Sequence, residues 1–444
     1  MLLNRRQLLG LLSSGTFLLS AGVRAAVKLT GNPQRLRFPQ GVASGDPQPD
    51  AVMLWTRAEP ESPADTVALS LQVAQDPDFT GLVLQAPLST DKTSDYTLRV
   101  FVDKLEPART YYYRFLGEDG SRSVTGRTRT APHPDSAAPV TVALAACQNY
   151  ESGFYGSWAR MLADDMAAPA GEQIDFVLHT GDFIYERVFP KRYRGGDQPR
   201  LPPPFPDGAN DDSNDYAVSL ADYRHLYKTY LNDPHLQAAR ARWPFVCTWD
   251  DHEFSNNGYQ SYSTYGGENR PDPQRKLNAN QAWFEFIPMV LSDARSGGPA
   301  HDFVAADLGG SEEEEDNNAA VDSLCIYRRL RWGKLLDAVI TDNRSYRSPH
   351  CLPAGLHKQL GLPMNTVKLV EIADGGREYR DGNPPEFLPY GDGAMPNPAL
   401  RRPAGTILGE AQKAWFLDQL KESGATWKVC CVNSGTELIL SPAS

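Results

Sequence analysis

Apolar and polar positions follow two different rhythms along this chain. From about residue 36 to 130 the apolar residues come in short runs, some strictly alternating, parted by Pro, Gly and Asp. Residues 51–57 (A-V-M-L-W-T-R), 67–73 and 98–102 read as strands of that kind, which predicts an all-β sandwich. A stretch rich in Pro and small residues, A-P-H-P-D-S-A-A-P at 131–139, marks a junction. Beyond it the runs become continuous, at 140–146, 175–179, 245–248, 336–341 and 428–432. Uninterrupted apolar strands are buried on both faces. Helical spacings between them (Phe154, Trp158, Met161 and Leu162, then Trp415, Phe416 and Leu420) supply covering layers. The pattern therefore predicts an α/β sheet or sandwich preceded by the all-β unit. A long irregular insertion at 187–215 carries Lys191, Arg192 and Arg194, which either sit in a solvated loop or draw in an anion. The acidic run at 312–316 reads as a solvated loop.

One segment sharpens the first half. L-E-P-A-R-T-Y-Y-Y-R-F at 105–115 resembles the tyrosine-corner region of fibronectin type III-like sandwiches, and alternation puts Tyr111, Tyr113 and Phe115 on one strand face.

Three of the continuous runs break abruptly into potential cation ligands. The first ends in Cys147-Gln148-Asn149, the second in Gly181-Asp182-Phe183-Ile184-Tyr185-Glu186, and the third in Trp249-Asp250-Asp251-His252-Glu253. In α/β sheets ligands bind beyond the carboxyl ends of strands, where these residues lie. A carboxylate after a glycine can bridge two cations, one per oxygen. Tyr185, three residues on, reaches the same centre if the segment makes a helical turn. Read alone, Asp182 serves equally as a helix cap and Tyr185 as a core aromatic. Adjacent acids such as Asp250 and Asp251 repel unless cations or donors offset them, so either a metal or a polar surface turn accounts for them. Histidine beside such acids binds metal or donates a proton. Cys147 alone would pass for a small buried hydrophobe. Its place at a strand end favours a ligand, and thiolate with phenolate and carboxylate points to one transition metal, iron, beside harder cations.

Composition narrows the setting. The 444 residues allow two or three domains, and a net charge of −11 argues against nucleic-acid binding, which needs a basic footprint. Asn4-Arg5-Arg6-Gln7 precedes an apolar stretch from Leu8 to Val23 and a small-residue cleavage site after Ala25. Residues 1–26 look like a twin-arginine export signal, with Leu8 where an aromatic is common. The stretch is shorter than the roughly 20 residues of a membrane span and holds several Ser and Gly, so no stable membrane anchor is expected. Twin-arginine machinery moves folded proteins, which suits loading a metal before export to the periplasm or medium. Of the six cysteines, Cys247, Cys430 and Cys431 sit in apolar runs as core residues. Cys325 and Cys351 remain a candidate bridge whose connectivity the sequence does not set.

Taken in order, R-F-P-Q-G-V-A-S-G-D-P (37–47), A-C-Q (146–148), G-D-F-I-Y-E (181–186), T-W-D-D-H-E (248–253), D-N-R-S-Y-R (342–347) and L-G-E-A-Q (408–412) resemble the alkaline phosphatase D family, from about residue 37 to 436. The resemblance implies a β-sandwich domain at 34–131 and a metallophosphoesterase domain, an αββα sandwich, at 138–444. It implies hydrolysis of small phosphate monoesters and diesters outside the cytoplasm by a water activated at iron, Fe(3+), with calcium, Ca(2+). By position, Cys147 and Tyr185 would bind the iron, Asp182 would bridge to calcium, and Asp251 would be a further ligand, although spacing leaves Asp250 open for that role. His252 would be the general acid or a phosphate contact. The family's later Gly-Asp-x-His segment has no counterpart before Ser444, so the catalytic domain is expected to be C-terminally incomplete. The alternative is a truncated, catalytically impaired phosphatase-like binding protein. An adhesion protein built on the sandwich leaves the acid clusters unexplained, and no G-x-S-x-G elbow supports a serine nucleophile. A monomer is the default expectation.

Overall fold

In a computed structural model, the alternating first half folds as predicted but does not stand alone. The structure describes residues 34–188, 200–211, 214–265, 269–291, 299–309, 313–350, 356–362, 385–390, 392–398, 405–431 and 440–442, with positions 367 and 400. Residues 1–26, read above as an export signal, and Lys191, Arg192, Arg194 and Cys351 lie outside the described residues.

Seven strands of four or more residues build the N-terminal unit: β1 (Val42–Gly45), β2 (Val52–Arg57), β3 (Thr66–Ala74), β4 (Leu82–Asp91), β5 (Thr97–Val102), β6 (Thr110–Gly117) and β7 (Gly126–Arg129). One sheet has the order β4-β3-β6-β7. Its inward residues Val67, Leu69, Leu71, Tyr111, Tyr113 and Phe115 pack on Val42, Leu54, Val100 and Val102 of the other. The Tyr111 hydroxyl accepts a hydrogen bond from the Glu106 N–H at 2.9 Å, the bond expected of a tyrosine corner.

The opposing strands β1, β2 and β5 are not confined to this sandwich. They continue a six-stranded sheet of order β8-β9-β10-β1-β2-β5, with β8 (Val142–Ala145), β9 (Phe176–His179) and β10 (Pro244–Cys247). Strands β8, β9, β10 and β1 run parallel. The junction demands glycine: a Cβ on Gly45 would lie 1.9 Å from the Pro288 carbonyl oxygen and 2.9 Å from that of Phe245. The predicted linker is likewise no free hinge. Ala131 is buried between the sheets, and the Lys334 N–H donates to the Ser136 carbonyl at 2.7 Å.

A second sheet of β11 (Arg328–Trp332), β12 (Leu336–Ile340), β13 (Trp427–Cys431) and β14 (Leu440–Pro442) faces the first. Phe176, Leu178 and Val246 meet Leu330, Trp332, Ala338, Ile340 and Cys431 between them. The outward residues Val177, Phe245 and Cys247 are covered by helices α1 (Gly156–Ala167), α2 (Leu220–Tyr230), α3 (Pro234–Arg242) and α4 (Pro273–Phe286). Local chemistry starts these helices: a Ser219–Asp222 capping box for α2, and an aspartate cap followed by proline for α3 and α4. Helix α5 is Glu313–Asp322. Helix α6 (Gly409–Glu422) lies between the parallel strands β12 and β13, on the outer side of the second sheet.

Three sequence expectations change. Residues 313–316 of the acidic run open helix α5 instead of a loop, because acids suit a helix N-terminus. Phe154 precedes α1 and is 73% exposed, whereas Trp158 is buried. Strand β8 is an edge, not a buried strand. Its Val142 and Leu144 are 38% and 55% exposed, though their register partners Phe176 and Leu178 are buried. Among the described residues no helix is long and apolar enough to cross a membrane.

The two halves are fastened by buried polar contacts. Arg328 holds Asp46 through two bonds of 2.7 Å, and the Val290 N–H adds a third at 2.8 Å. Breaking one partner of a buried ion pair strands the other charge. Arg328→Ala should therefore lower unfolding free energy by about 3–5 kcal/mol, while Arg328→Ala with Asp46→Ala should lose less. Urea denaturation of the two variants tests this; an equal loss in both would refute the role of the stranded charge.

Candidate metal centre

Parallel β8, β9 and β10 end at one rim, so the loops after them converge. The chain leaves the strands through unusual backbone: Gly181 has φ 112°, and the non-glycine residues Asp182 and Cys147 have φ 53° and 56°. Left-handed backbone costs of order 1–3 kcal/mol at such residues and persists only where surroundings enforce it. Here the Cys147 N–H donates to the Gly181 carbonyl and the Gln148 N–H to the Asp182 carbonyl, both at 3.1 Å. The Gln148 side chain donates to the Phe183 carbonyl at 3.0 Å and accepts from Trp158 at 3.2 Å, so this amide braces the two loops.

The strained pair points its side chains at one spot. The Cys147 Sγ lies 3.3 Å and the Tyr185 hydroxyl 3.1 Å from the same Asp182 oxygen, Oδ2. The other oxygen, Oδ1, is buried with no hydrogen-bond partner. Asp182, Asp251 and His252 each offer a ligand atom, all within 4.8 Å of one another. Of the adjacent acids, Asp251 thus sides with this cluster. Asp250 accepts from Arg344 Nε at 2.6 Å instead. The five residues singled out from sequence (Cys147, Asp182, Tyr185, Asp251 and His252) share one site.

Burial governs its electrostatics. It pushes the Cys147 thiol up to about 12, with Asp182 adding to the effect. It drives the Tyr185 phenol far above its usual range, again with Asp182. Burial raises Asp250 to about 7 in spite of Arg344, and raises Glu253 to about 8 with help from Asp182. Asp182 itself is raised by burial, against the pull of His252. Burial also works to raise Asp251, but His252, Arg344 and the Asn257 N–H outweigh it and hold this carboxyl low. Burial would lower His252; Glu186, Asp251 and Asp182 lift it to about 9. Protons thus stay on groups that a cation would strip, as in a site short of positive charge. That deficit, the orphaned Asp182 oxygen and the mixed sulfur, phenol and carboxylate donors fit a metal pair.

Three further residues complete the arrangement: Glu186 and Glu253, which stand among the potential ligands of their runs without a particular role, and Arg344, which has none in the sequence. Arg344, following β12, brings its guanidinium to Asp250 and, at 3.7 Å, to Asp251. Glu253 accepts from the Phe183 N–H at 2.6 Å and the Asp250 N–H at 2.9 Å, tying the second loop to the third. Glu186 contacts His252 Nδ1 at 2.7 Å. All three sit inside quoted motifs, and their signal was charge buried beside opposite or competing charge.

Facing sheets, outer helices and a cation-ligand cluster at the carboxyl rim define the metallophosphoesterase class of αββα sandwich. The chain belongs to the PhoD-like phosphatase family, whose phosphatase profile matches residues 142–437 and whose N-terminal-domain profile matches residues 23–132. It is 29% identical over 402 residues to alkaline phosphatase D of Bacillus subtilis (strain 168), covering 88% of this chain and 55% of that protein. A solved structure of PhoD aligns with TM-score 0.62 and 28% identity over 91% of this chain and 63% of that one. The chain thus spans just over half the length of the Bacillus protein.

The charge deficit has a thermal consequence. Asp250, Glu253 and His252 all have folded-state values above their unfolded ones. Each stabilises the fold below its unfolded value and loses that contribution as pH rises through the folded value. The metal-free protein should therefore melt lower at pH 8.5 than at pH 6, at about 1 °C per kcal/mol lost. Added calcium with iron should reverse the drop. Calorimetry across this range checks it; a flat or rising melting temperature in metal-free protein would refute the deficit.

Proposed function

We propose that this chain is an exported, metal-dependent phosphoesterase acting on small phosphate monoesters and diesters. Its organisation on this reading is a twin-arginine signal at 1–26, a β-sandwich at 34–131 and a catalytic domain at 138–444. The observation that carries the proposal is the Asp182 carboxylate, which takes a thiol and a phenol on one oxygen and leaves its buried partner oxygen unbonded.

Cys147 and Tyr185 would hold Fe(3+), Asp182 would bridge it to Ca(2+), and Asp251 would ligate further. Metals so held polarise a phosphoryl oxygen and make water acidic enough to attack. The remaining work falls to the protein. Arg344 meets negative charge as it builds on the phosphoryl group, without reorganising, because Asp250 already fixes its guanidinium. His252 stands beside the acids as the group that protonates the leaving oxygen. The solvent exposure of Cys147 and the carboxyl-rim location keep the site open to ester substrates.

The test is turnover of p-nitrophenyl phosphate and its bis ester at alkaline pH by protein loaded with iron and calcium. Both should be hydrolysed, and Asp182→Asn should reduce kcat at least ~10²-fold. The iron-loaded protein should be coloured through sulfur and phenolate charge transfer, and Tyr185→Phe should shift the band. Loaded protein that stays colourless and inactive would overturn the proposal. Colour without turnover would leave a phosphatase-like binding protein.

A further inference from the structure

The loop that carries Asp182 ends in Glu186, described so far only as a contact of His252 that helps to keep it charged. Its side chain is fully buried. Both oxygens are taken. Oε1 accepts from the Asn256 N–H at 2.5 Å and from the Tyr265 hydroxyl; Oε2 lies 2.7 Å from His252 Nδ1. Tyr265 is itself fixed, stacked on Tyr216 with ring centroids 4.2 Å apart and planes 9° from parallel. The carboxylate therefore cannot turn without losing bonds in a place that water does not reach.

His252 is held from a second direction. The Tyr185 ring lies on its face, centroids 4.1 Å apart at 30°. Glu186 fixes the imidazole in its plane and Tyr185 fixes it from above. With Nδ1 bonded to a carboxylate, that nitrogen carries a proton, and Nε2 is the nitrogen able to serve the Asp182–Asp251 cluster or a leaving oxygen.

We infer that Glu186 is a positioning residue that holds His252 in a single orientation, Nδ1 protonated and Nε2 directed to the reacting centre. Adjacent residues 185 and 186 then set the histidine together, on the loop that also supplies Asp182. The kinetic part of this inference rests on the phosphoesterase reading; the tautomer part does not.

Glu186→Gln separates the two. The Asn256 N–H and the Tyr265 hydroxyl both need an acceptor, so they claim the amide oxygen. The amide NH2 must then face Nδ1 as a donor, which turns Nδ1 into an acceptor and moves the proton to Nε2. In 15N-histidine spectra of metal-free protein, recorded at a pH alkaline enough to leave the imidazole neutral, the wild type should give a hydrogen-bonded Nδ1 proton, identified by its loss in His252→Asn. Glu186→Gln should remove that signal. In loaded enzyme the same variant should lower kcat ~10–100-fold with KM changed less than ~3-fold. Added to His252→Asn it should cost less than ~2-fold more, because it acts only through the histidine. An Nδ1 signal that survives in Glu186→Gln, or costs that multiply in the double variant, would overturn the inference. Should Glu186→Gln not fold, Glu186→Asp, which withdraws the carboxylate by one methylene, should shift the same signal; an unmoved signal there would also overturn it. An inactive enzyme whose Nδ1 signal still responds supports the positioning role while removing the phosphoesterase reading.

Discussion

A buried carboxylate that takes two donors on one oxygen and none on the other is not at electrostatic rest, and Asp182 is in that position. Removing a carboxylate from water is costly unless charge or hydrogen bonds replace the hydration. Here the available donors are a thiol and a phenol, both weak acids pushed further from ionising by the same carboxylate. A cation resolves all three at once, since thiol and phenol lose their protons as they bind it and the orphaned oxygen gains a partner. The left-handed backbone at Cys147 and Asp182 makes sense on these terms. Strain that a plain turn would not hold is kept where it aims two side chains at one point.

That point is defined by both sheets, which explains the care taken in joining them. Cys147, Asp182 and Asp251 follow strands of the six-stranded sheet, whereas Arg344 follows β12 of the facing one. The spacing between the guanidinium and the acids is therefore a property of the sandwich, not of any loop. At the rim the Thr248 hydroxyl donates to the Thr341 carbonyl at 2.7 Å, and Thr341 donates onward to Cys431, stitching the first sheet to the second and β12 to β13. The N-terminal strands matter for the same reason. Running on from β10 into β1, they extend the sheet that carries three of the site's loops, and Arg328 on Asp46 pins that extension to the second sheet. A sandwich domain on a flexible tether could not brace the site in this way.

Much of this was legible because chemistry and period coincide. Apolar runs that stop dead in Cys147, Asp182 and Asp250–Glu253 announce strand ends with something to bind, and the five expected residues do meet. What stayed hidden depended on pairing across the sequence. Nothing in residues 51–57 says that their sheet continues into β10, since that junction rests on two register pairs and one glycine. Nothing in 140–146 says edge, because an edge strand with an apolar outer residue has the composition of a central one. Arg344 was invisible as a site residue because an arginine after a strand is ordinary; its meaning lies in an Asp 94 positions away. The choice between Asp250 and Asp251 was likewise beyond spacing, since neighbours on a turn differ only in which partner the fold offers them.

The Asp250–Glu253 turn shows how that partitioning works. Four ionisable residues in a row would repel if they shared a direction, and the turn gives each its own. Asp250 goes to Arg344, Asp251 to the cluster with Asp182, His252 to Glu186, and Glu253 back to the N–H groups of Phe183 and Asp250. Only Asp251 is pointed into the cluster with its carboxylate held low, and the positive groups that hold it low are His252 and Arg344. The other two acids, raised by burial, act as braces. A single turn thereby sends one carboxylate to the cluster, one imidazole to Glu186 and two acids to other partners. Exchanging His252 with any of the three acids would preserve composition and net charge, yet leave at least two buried groups facing the wrong partner.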